Sequence, residues 1–179
     1  LAQGKLLQLL GRAVAAKRIL EIGTLGGYST ISLARALGDD GVLVTLELEP
    51  EYAAVARANV DHAGVGHRVD IRIGPACDTL AEMCRDGEAV FDFVFVDADK
   101  DNYPAYLGYA IQLSCPGTML VFDNVVREGE VINPQSSDPK VAGTRALYDA
   151  LKDNPKIDAT AIQTVGSKKW DGFLLALVQ

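Results

Sequence analysis

The sequence predicts an α/β protein with a Rossmann-like, mainly parallel sheet. Short apolar segments of strand length alternate with longer amphipathic segments along most of the 179-residue chain, which is the pattern of βαβ units. A glycine-rich turn follows the first apolar segment, and acidic residues follow several later ones, as at the ligand-binding edge of such sheets. We expect residues 1–179 to form one domain, because this length suffices for one complete core.

The first two thirds of the chain contain five predicted strands, which are short and rich in aliphatic residues. They lie at 18–22, 42–46, 69–73, 91–96 and 118–122. Helices with periodic apolar residues lie before and between them, at 5–15, 29–37, 51–63, 79–85 and 103–113. The pair Pro116-Gly117 predicts a turn into the fifth strand.

The alternation breaks after the fifth strand. Residues 127–140 contain Gly129, Pro134 and Pro139, and we predict a loop here that covers the substrate at the ligand edge. A helix at 141–153 and strands at 159–164 and 172–178 complete the chain. Too few residues separate these two strands for the crossover that parallel pairing needs, so we expect an antiparallel hairpin.

Composition narrows the classes of partner. The net charge of −7 argues against nucleic acid, because Lys and Arg supply most of the affinity for a phosphate backbone. No apolar run reaches the roughly 20 residues of a membrane span, and Cys77, Cys84 and Cys115 lack metal-site or disulfide spacing. We therefore expect a soluble cytoplasmic protein.

The sequence begins at Leu1 within a helical pattern and without Met, so we expect a further segment upstream.

A nucleotide-like cofactor is predicted at the first two strand ends. Gly23, Gly26 and Gly27 lie at a strand-to-helix turn, where a missing Cβ permits either close approach to a ligand or a tight structural turn. Their spacing differs from the Gly-x-Gly-x-x-Gly of dinucleotide-binding proteins. Glu47 ends the next strand about 20 residues later, the usual position of a carboxylate that binds ribose hydroxyls; alone, it also fits an ordinary solvated acid.

The segment Gly74-Pro75-Ala76-Cys77-Asp78 follows the third strand at the same edge. Its small side chains and backbone suit the lining of an adenine pocket. An ordinary turn with Asp78 as the cap of the next helix explains it equally well.

Oxygen-bearing side chains end two further apolar strands. Asp97 follows the fourth strand, and Asp123 with Asn124 follows the fifth. Each also fits a helix cap or a turn, but together they supply the carboxylate and amide oxygens that suit a hard cation such as Mg2+ or Ca2+. Lys100, three residues after Asp97, is a candidate base or cation beside a substrate hydroxyl, although most lysines are simply solvated.

These residues resemble the cation-dependent catechol and caffeoyl-CoA O-methyltransferase family over nearly the whole chain. The resemblance rests on segments 21–30 (EIGTLGGYST), 44–51 (VTLELEPE), 93–103 (FVFVDADKDNY), 121–125 (VFDNV) and 169–173 (KWDGF). It implies the class I methyltransferase fold: a seven-stranded, mostly parallel sheet with an antiparallel last strand and helices on both faces. The family also has a helical segment ahead of the position where this sequence starts.

The resemblance further implies S-adenosylmethionine as cofactor and a divalent cation, Mg2+ with Ca2+ or Mn2+ as alternatives. Its acceptor is a small aromatic diol, catechol-like or caffeoyl-like, and its assembly is a homodimer. The implied cofactor-binding residues are Glu21, Gly23, Ser29, Glu47, Ala76 and Asp97; the implied metal ligands are Asp97, Asp123 and Asn124; and Lys100 is the implied catalytic residue.

We therefore predict an O-methyltransferase that acts on a vicinal hydroxyl pair. Two alternatives stay open at this point. A nicotinamide-dependent oxidoreductase shares the glycine turn and the strand-end acid, and a degenerate nucleotide-binding module retains such a fold without the activity. Tyr103, Trp170 and residues 127–140 are candidate walls for an aromatic acceptor.

Overall fold

Seven strands form one sheet in the computed structural model, which describes residues 2–165 and 170–179. The strands are β1 (Arg18–Ile22), β2 (Val42–Glu47), β3 (Val69–Ile73), β4 (Phe91–Val96), β5 (Ser114–Asp123), β6 (Ile157–Val165) and β7 (Trp170–Val178). The helices are α1 (Ala2–Ala13), α2 (Tyr28–Ala34), α3 (Pro50–His62), α4 (Ala76–Arg85), α5 (Tyr103–Gln112) and α6 (Pro139–Leu151). Among the helices in these ranges, none is long and apolar enough to cross a lipid bilayer.

The strand order is β3-β2-β1-β4-β5-β7-β6. Strands β1 to β5 pair in parallel, whereas β7 pairs antiparallel with both β5 and β6. This arrangement confirms the predicted Rossmann-like sheet and the predicted hairpin at its end. Residues 166–169 of the hairpin connection, including Lys169 of the last family segment, lie outside the described residues.

Helices cover both faces of the sheet because alternate strand residues point to opposite sides. In β4, Val94 and Val96 join one hydrophobic cluster, and Phe93 and Phe95 join the other. The first cluster contains residues of α4, α5 and α6, such as Leu80, Tyr106 and Leu147; the second contains residues of α1, α2 and α3, such as Leu7, Leu33 and Val60. Burying each large side chain contributes about 1.5–3 kcal/mol to folding.

The turn predicted at Pro116-Gly117 is wrong, because β5 begins earlier and runs through these residues. Phe91 pairs with Ser114 and Phe93 with Met119, so extra residues of β5 bulge between the two pairs. Gly117 has a φ of +94°, and the Thr118 hydroxyl donates to the Phe91 carbonyl at 2.7 Å. The side-chain hydrogen bond replaces ladder bonds that the bulged residues cannot make.

The segment predicted as a loop at 127–140 is more ordered than expected. Two short 3-10 turns, separated by a kink at Glu128 and Gly129, span Arg127–Ile132. Helix α6 begins at Pro139 because the Asp138 carboxylate accepts from the Lys140 N–H at 2.8 Å. Arg145 donates to backbone carbonyls of the segment, including that of Val131 at 2.9 Å. The segment is therefore held against α6.

Candidate active site

A cavity of about 710 Å³ opens at the carboxyl edge of the sheet, which is within the usual size range of small-molecule sites. Six of the predicted site residues line it: Gly23, Ser29, Glu47, Ala76, Asp97 and Asp123. They come together because the carboxyl ends of parallel strands meet at one edge. Glu21, Lys100 and Asn124 are not among its lining residues; Glu21 is fully buried in β1, Lys100 is 6% exposed, and Asn124 directly follows Asp123.

Gly23 allows the ends of β1 and β4 to approach each other. Its φ is +100°, and a Cβ at this position would lie 2.2 Å from the carbonyl oxygen of Asp97. Any side chain would therefore push apart two strand ends that line the cavity. The sequence left ligand approach and a tight structural turn open for this glycine, and the structure shows that backbone packing requires it.

Glu47 joins the end of β2 to the glycine turn. Its Oε2 accepts from the backbone N–H groups of Thr24 at 3.2 Å and Leu25 at 2.7 Å, and its Oε1 accepts from the Glu49 N–H at 3.0 Å. A carboxylate has about four acceptor positions, so these bonds leave one on Oε1. Glu47 is thus a buried structural acid that retains one acceptor position beside the cavity.

Glu21 is a fully buried acid on β1, directly before the glycine turn. Its Oε2 accepts from the hydroxyls of Thr30 at 2.5 Å and Thr45 at 2.7 Å. Burial raises the pKa of the Glu21 carboxyl from its ordinary 4.5 to about 7; the charge of Asp97 adds to the rise, and neighbouring hydroxyls oppose it. The folded protein therefore favours the protonated form of Glu21.

Glu21→Gln is expected to stabilise the protein at alkaline pH and to change its stability little at acid pH. Because the folded pKa lies above the unfolded value, the contribution of Glu21 is fully present below about pH 4.5 and is lost as the pH rises through 7. The difference between the two pKa values corresponds to about 3 kcal/mol in the free energy of unfolding. Urea unfolding of the parent and of Glu21→Gln at pH 5 and pH 8 measures this change in the free energy of unfolding. Glu51→Gln, at an exposed position of α3, is the control. Equal effects at both pH values would contradict this account.

Two acids, Asp97 and Asp123, also line the cavity, and a buried lysine lies directly behind the first of them. The Lys100 Nζ lies 2.8 Å from Asp97 Oδ1 and 4.8 Å from the centroid of the Tyr103 ring. The buried Asp123 accepts from the Gln3 amide at 2.5 Å through Oδ2 and from the Asn124 N–H at 2.8 Å through Oδ1. Burial, and then the negative charge of Asp97, raises the pKa of the Asp123 carboxyl. The two carboxylates are thus close enough to repel each other.

Asn124 follows this acid in the left-handed region, with a φ of +57°. Within residues 2–165 and 170–179, no three His, Cys, Asp or Glu side chains group together as a metal site. The predicted donor set differs from such a group, since it consists of two carboxylates and one amide oxygen. Hard cations bind both carboxylate and amide oxygens as ligands.

Several side chains at the cavity were not predicted from the sequence. Gln3 of α1 reaches Asp123, and no sequence pattern distinguished it from other polar residues of that helix. Asp99 also lines the cavity and accepts from the Tyr106 hydroxyl at 2.5 Å. Asp99 lies two residues after Asp97, and this position in the sequence could have identified it as a residue of the site.

Three predictions about neighbouring residues are corrected. Tyr103 is wrong as a substrate wall, because its ring is fully buried and its hydroxyl donates to the Asp123 carbonyl at 2.6 Å. Trp170 is not among the residues that line the cavity, and its ring packs over Gly129. Asp78 is not the cap of α4, because the helix already begins at Ala76.

Comparison with known proteins identifies the family. The model of a family described as O-methyltransferase matches residues 1–177. The chain belongs to this O-methyltransferase family. The nicotinamide-dependent alternative is therefore wrong, and the predicted class of enzyme is confirmed.

Relatives of this O-methyltransferase share most of its length. Proteins named catechol O-methyltransferase from Niastella koreensis and Mycobacterium tuberculosis are 49% and 50% identical, and each alignment covers 99% of this chain and 80% and 79% of the relatives, respectively. A solved O-methyltransferase from Bacillus cereus, in complex with SAH, has a TM-score of 0.97 at 52% identity and covers 99% of this chain and 81% of that one. The likeness confirms the fold predicted from the sequence.

Proposed function

We propose that this O-methyltransferase transfers a methyl group from S-adenosylmethionine to one hydroxyl of a catechol-like diol, with the help of a divalent cation. The observation that carries the proposal is the approach of Asp97 and Asp123 in the lining of the cavity, with the buried Lys100 paired to Asp97. Support also comes from the names of the two catechol O-methyltransferases and from the SAH in the solved relative. SAH is the product that S-adenosylmethionine leaves after it has donated its methyl group.

The strand ends of β1 and β2 and the start of α4 would hold the cofactor. Glu47 has one free acceptor position for a ribose hydroxyl, and Ala76 offers a small side chain beside the base. Gly23, Ser29 and Asp97 would surround the methionine part, and the buried Glu21 would support Ser29 from behind through a side-chain hydrogen bond. When bound, S-adenosylmethionine supplies a methyl group on a sulfonium, which reacts by in-line displacement.

Asp97, Asp123 and Asn124 would hold the cation, with Mg2+ proposed first and Ca2+ or Mn2+ as alternatives. The donor set fits, because two mutually repelling carboxylates are compensated here only in part by Lys100 and the Gln3 amide. When bound, the cation lowers the proton affinity of a chelated diol and fixes its two oxygens. The residues on the two strand ends orient the acceptor toward the methyl group, and this alignment supplies much of the rate.

Lys100 would assist the loss of the acceptor's proton. Its ammonium group is buried between Asp97 and the ring of Tyr103, so its position is fixed before the substrate arrives. A preorganised positive charge stabilises a developing phenolate oxygen more than a mobile surface lysine does. Lys100 acts either through this charge or by accepting the proton.

Removal of the cation is expected to lower catechol methylation at least about 100-fold, since Lewis-acid catalysis by a metal contributes several kcal/mol. The measurement is transfer of label from S-adenosylmethionine to catechol, with Mg2+ or with chelator. Phenol is the matched control acceptor, because one hydroxyl cannot chelate; it should react poorly under both conditions.

The outcomes separate the alternatives. Full activity in chelator would contradict the cation site while leaving the methyltransferase assignment intact. Binding of SAH without transfer to any diol would favour a degenerate nucleotide-binding module. Absence of SAH binding, measured by calorimetry, would contradict the proposed cofactor.

A homodimer, a cytoplasmic location and a single domain over residues 1–179 stay predictions. All three cysteines are free thiols, as proteins of reducing compartments usually have. Sedimentation of the purified protein tests the homodimer directly.

A further inference from the structure

Asp171, the second residue of β7, accepts three backbone hydrogen bonds with one oxygen. Its Oδ1 lies 3.0 Å from the Val126 N, 2.8 Å from the Arg127 N and 2.9 Å from the Gly172 N. The residue does not line the main cavity, and the proposed reaction gives it no task. Its bonds nevertheless end on the segment that directly follows Asp123 and Asn124.

That segment has an unfavourable backbone conformation. Asn124, Arg127 and Glu128 have φ values of +57°, +55° and +54°, and Gly129 has a φ of +86°. Left-handed conformations cost non-glycine residues about 1–2 kcal/mol each and persist only where their surroundings enforce them. The N–H groups of Val126 and Arg127 donate to Asp171, so this carboxylate stabilises the backbone at the centre of the segment.

Asn124 lies between two anchored peptide groups. On its amino-terminal side, the Asp123 carbonyl accepts from the Tyr103 hydroxyl at 2.6 Å. On its carboxyl-terminal side, the Val125 N–H donates to the Gly172 carbonyl at 3.1 Å, and the Val125 carbonyl accepts from the Tyr148 hydroxyl at 3.2 Å. The direction of the Asn124 side chain therefore depends on contacts with the start of β7.

We propose that Asp171 is a positioning residue that fixes Asn124 for cation binding, an inference that rests on the proposed function. A rotation of the backbone at Asn124 would change the direction of its side-chain amide oxygen relative to the carboxylates of Asp97 and Asp123, the other two proposed ligands. Residues that orient metal ligands typically change affinity by about 10–100-fold when they are replaced. Asp171 acts through the backbone, and it touches neither cofactor nor acceptor.

The test compares Mn2+ binding, measured by electron paramagnetic resonance, with SAH binding, measured by calorimetry. Asp171→Ala is expected to weaken Mn2+ binding about 10–100-fold and to leave SAH affinity near the parent value, because the glycine turn lies on other strands. Asp171→Asn keeps an oxygen acceptor for the Val126 and Arg127 N–H groups and should retain most of the Mn2+ affinity.

Thr118→Val is the matched control for general destabilisation. Thr118 is 1% exposed and donates a buried hydrogen bond to the Phe91 carbonyl, at the amino-terminal part of β5 far along the strand from Asp123. Its loss should lower the melting temperature without changing Mn2+ affinity. Tyr148→Phe removes only the hydroxyl that anchors Val125, and it should weaken Mn2+ binding in the same direction as Asp171→Ala.

If Asp171→Ala folds and binds Mn2+ as tightly as the parent, this inference is overturned and the proposed cation site is not. Equal losses in Asp171→Ala and Thr118→Val would also overturn it, since stability would then explain both. If Asp171→Ala does not fold, Tyr148→Phe takes its place in the test. Mn2+ affinity equal to that of the parent in Tyr148→Phe would then overturn the inference. A parent protein that binds SAH and no Mn2+ would overturn the proposed cation site, and this inference with it.

Discussion

Asp123→Asn is expected to lower kcat/KM for catechol by about 1000-fold. The substitution preserves shape while removing one of the two charged donors proposed for the cation. It is not expected to destabilise the fold at neutral pH, because burial and the charge of Asp97 raise the pKa of the Asp123 carboxyl. A raised folded pKa means that the charged form lowers stability as the pH rises, so the neutral amide relieves this cost.

Two measurements distinguish loss of the cation site from loss of the fold. Urea unfolding at pH 8 should find Asp123→Asn at least as stable as the parent, and calorimetry should find SAH binding preserved. Asp149→Asn, which removes one exposed acid from α6, is the control with the same change in charge. Cation-stimulated turnover near the parent rate in Asp123→Asn would show that this carboxylate is not a ligand.

Lys100→Met is expected to lower kcat by about 100- to 10,000-fold, the range for removal of a group that assists proton transfer. The methionine fills a similar volume beside the Tyr103 ring, but the charge 2.8 Å from Asp97 is lost. The measurement is single-turnover methylation of catechol with saturating S-adenosylmethionine and Mg2+. KM should change much less than kcat, because the lysine is proposed to act in the transition state.

Lys100→Arg separates the two roles proposed for this residue. Arginine retains the positive charge but does not accept a proton at ordinary pH. Substantial activity in Lys100→Arg would favour electrostatic assistance, and a loss equal to that of Lys100→Met would favour proton acceptance. Lys140→Met, on the exposed first turn of α6, is the matched control. A Lys100→Met rate close to that of the parent would remove the lysine from the proposed chemistry.

The strands were predictable because local patterns decide where buried segments begin and end. Predictions for β1, β3 and β4 agree with the observed bounds, since each is a continuous apolar or alternating run between polar turns. The start of β5 was missed. Its first residues pair with β4 around a bulge, which depends on the Thr118 hydroxyl meeting the Phe91 carbonyl. Local propensity carries no information about such a partner.

The sheet, and the edge of the sheet at which the cavity lies, could be predicted from local sequence patterns. Alternating strands and helices leave few possible topologies, and the carboxyl ends of parallel strands then bring Glu47, Asp97 and Asp123 to one side. The order of these residues along the chain was sufficient for this inference. Local sequence determines where each strand ends, and parallel strands run in the same direction, so that their carboxyl ends lie at one edge.

The contacts that hold these side chains in place could not be predicted, because they form between elements that are distant along the chain. The Gln3 amide meets Asp123 across 120 positions, and Asp171 reaches Val126 across 45. The same packing places Lys100 against Asp97 in a buried position and leaves Tyr103 beneath the site as a support. Such contacts depend on distances between elements that are remote in sequence, and a free-energy difference of a few kcal/mol in packing determines which of them form.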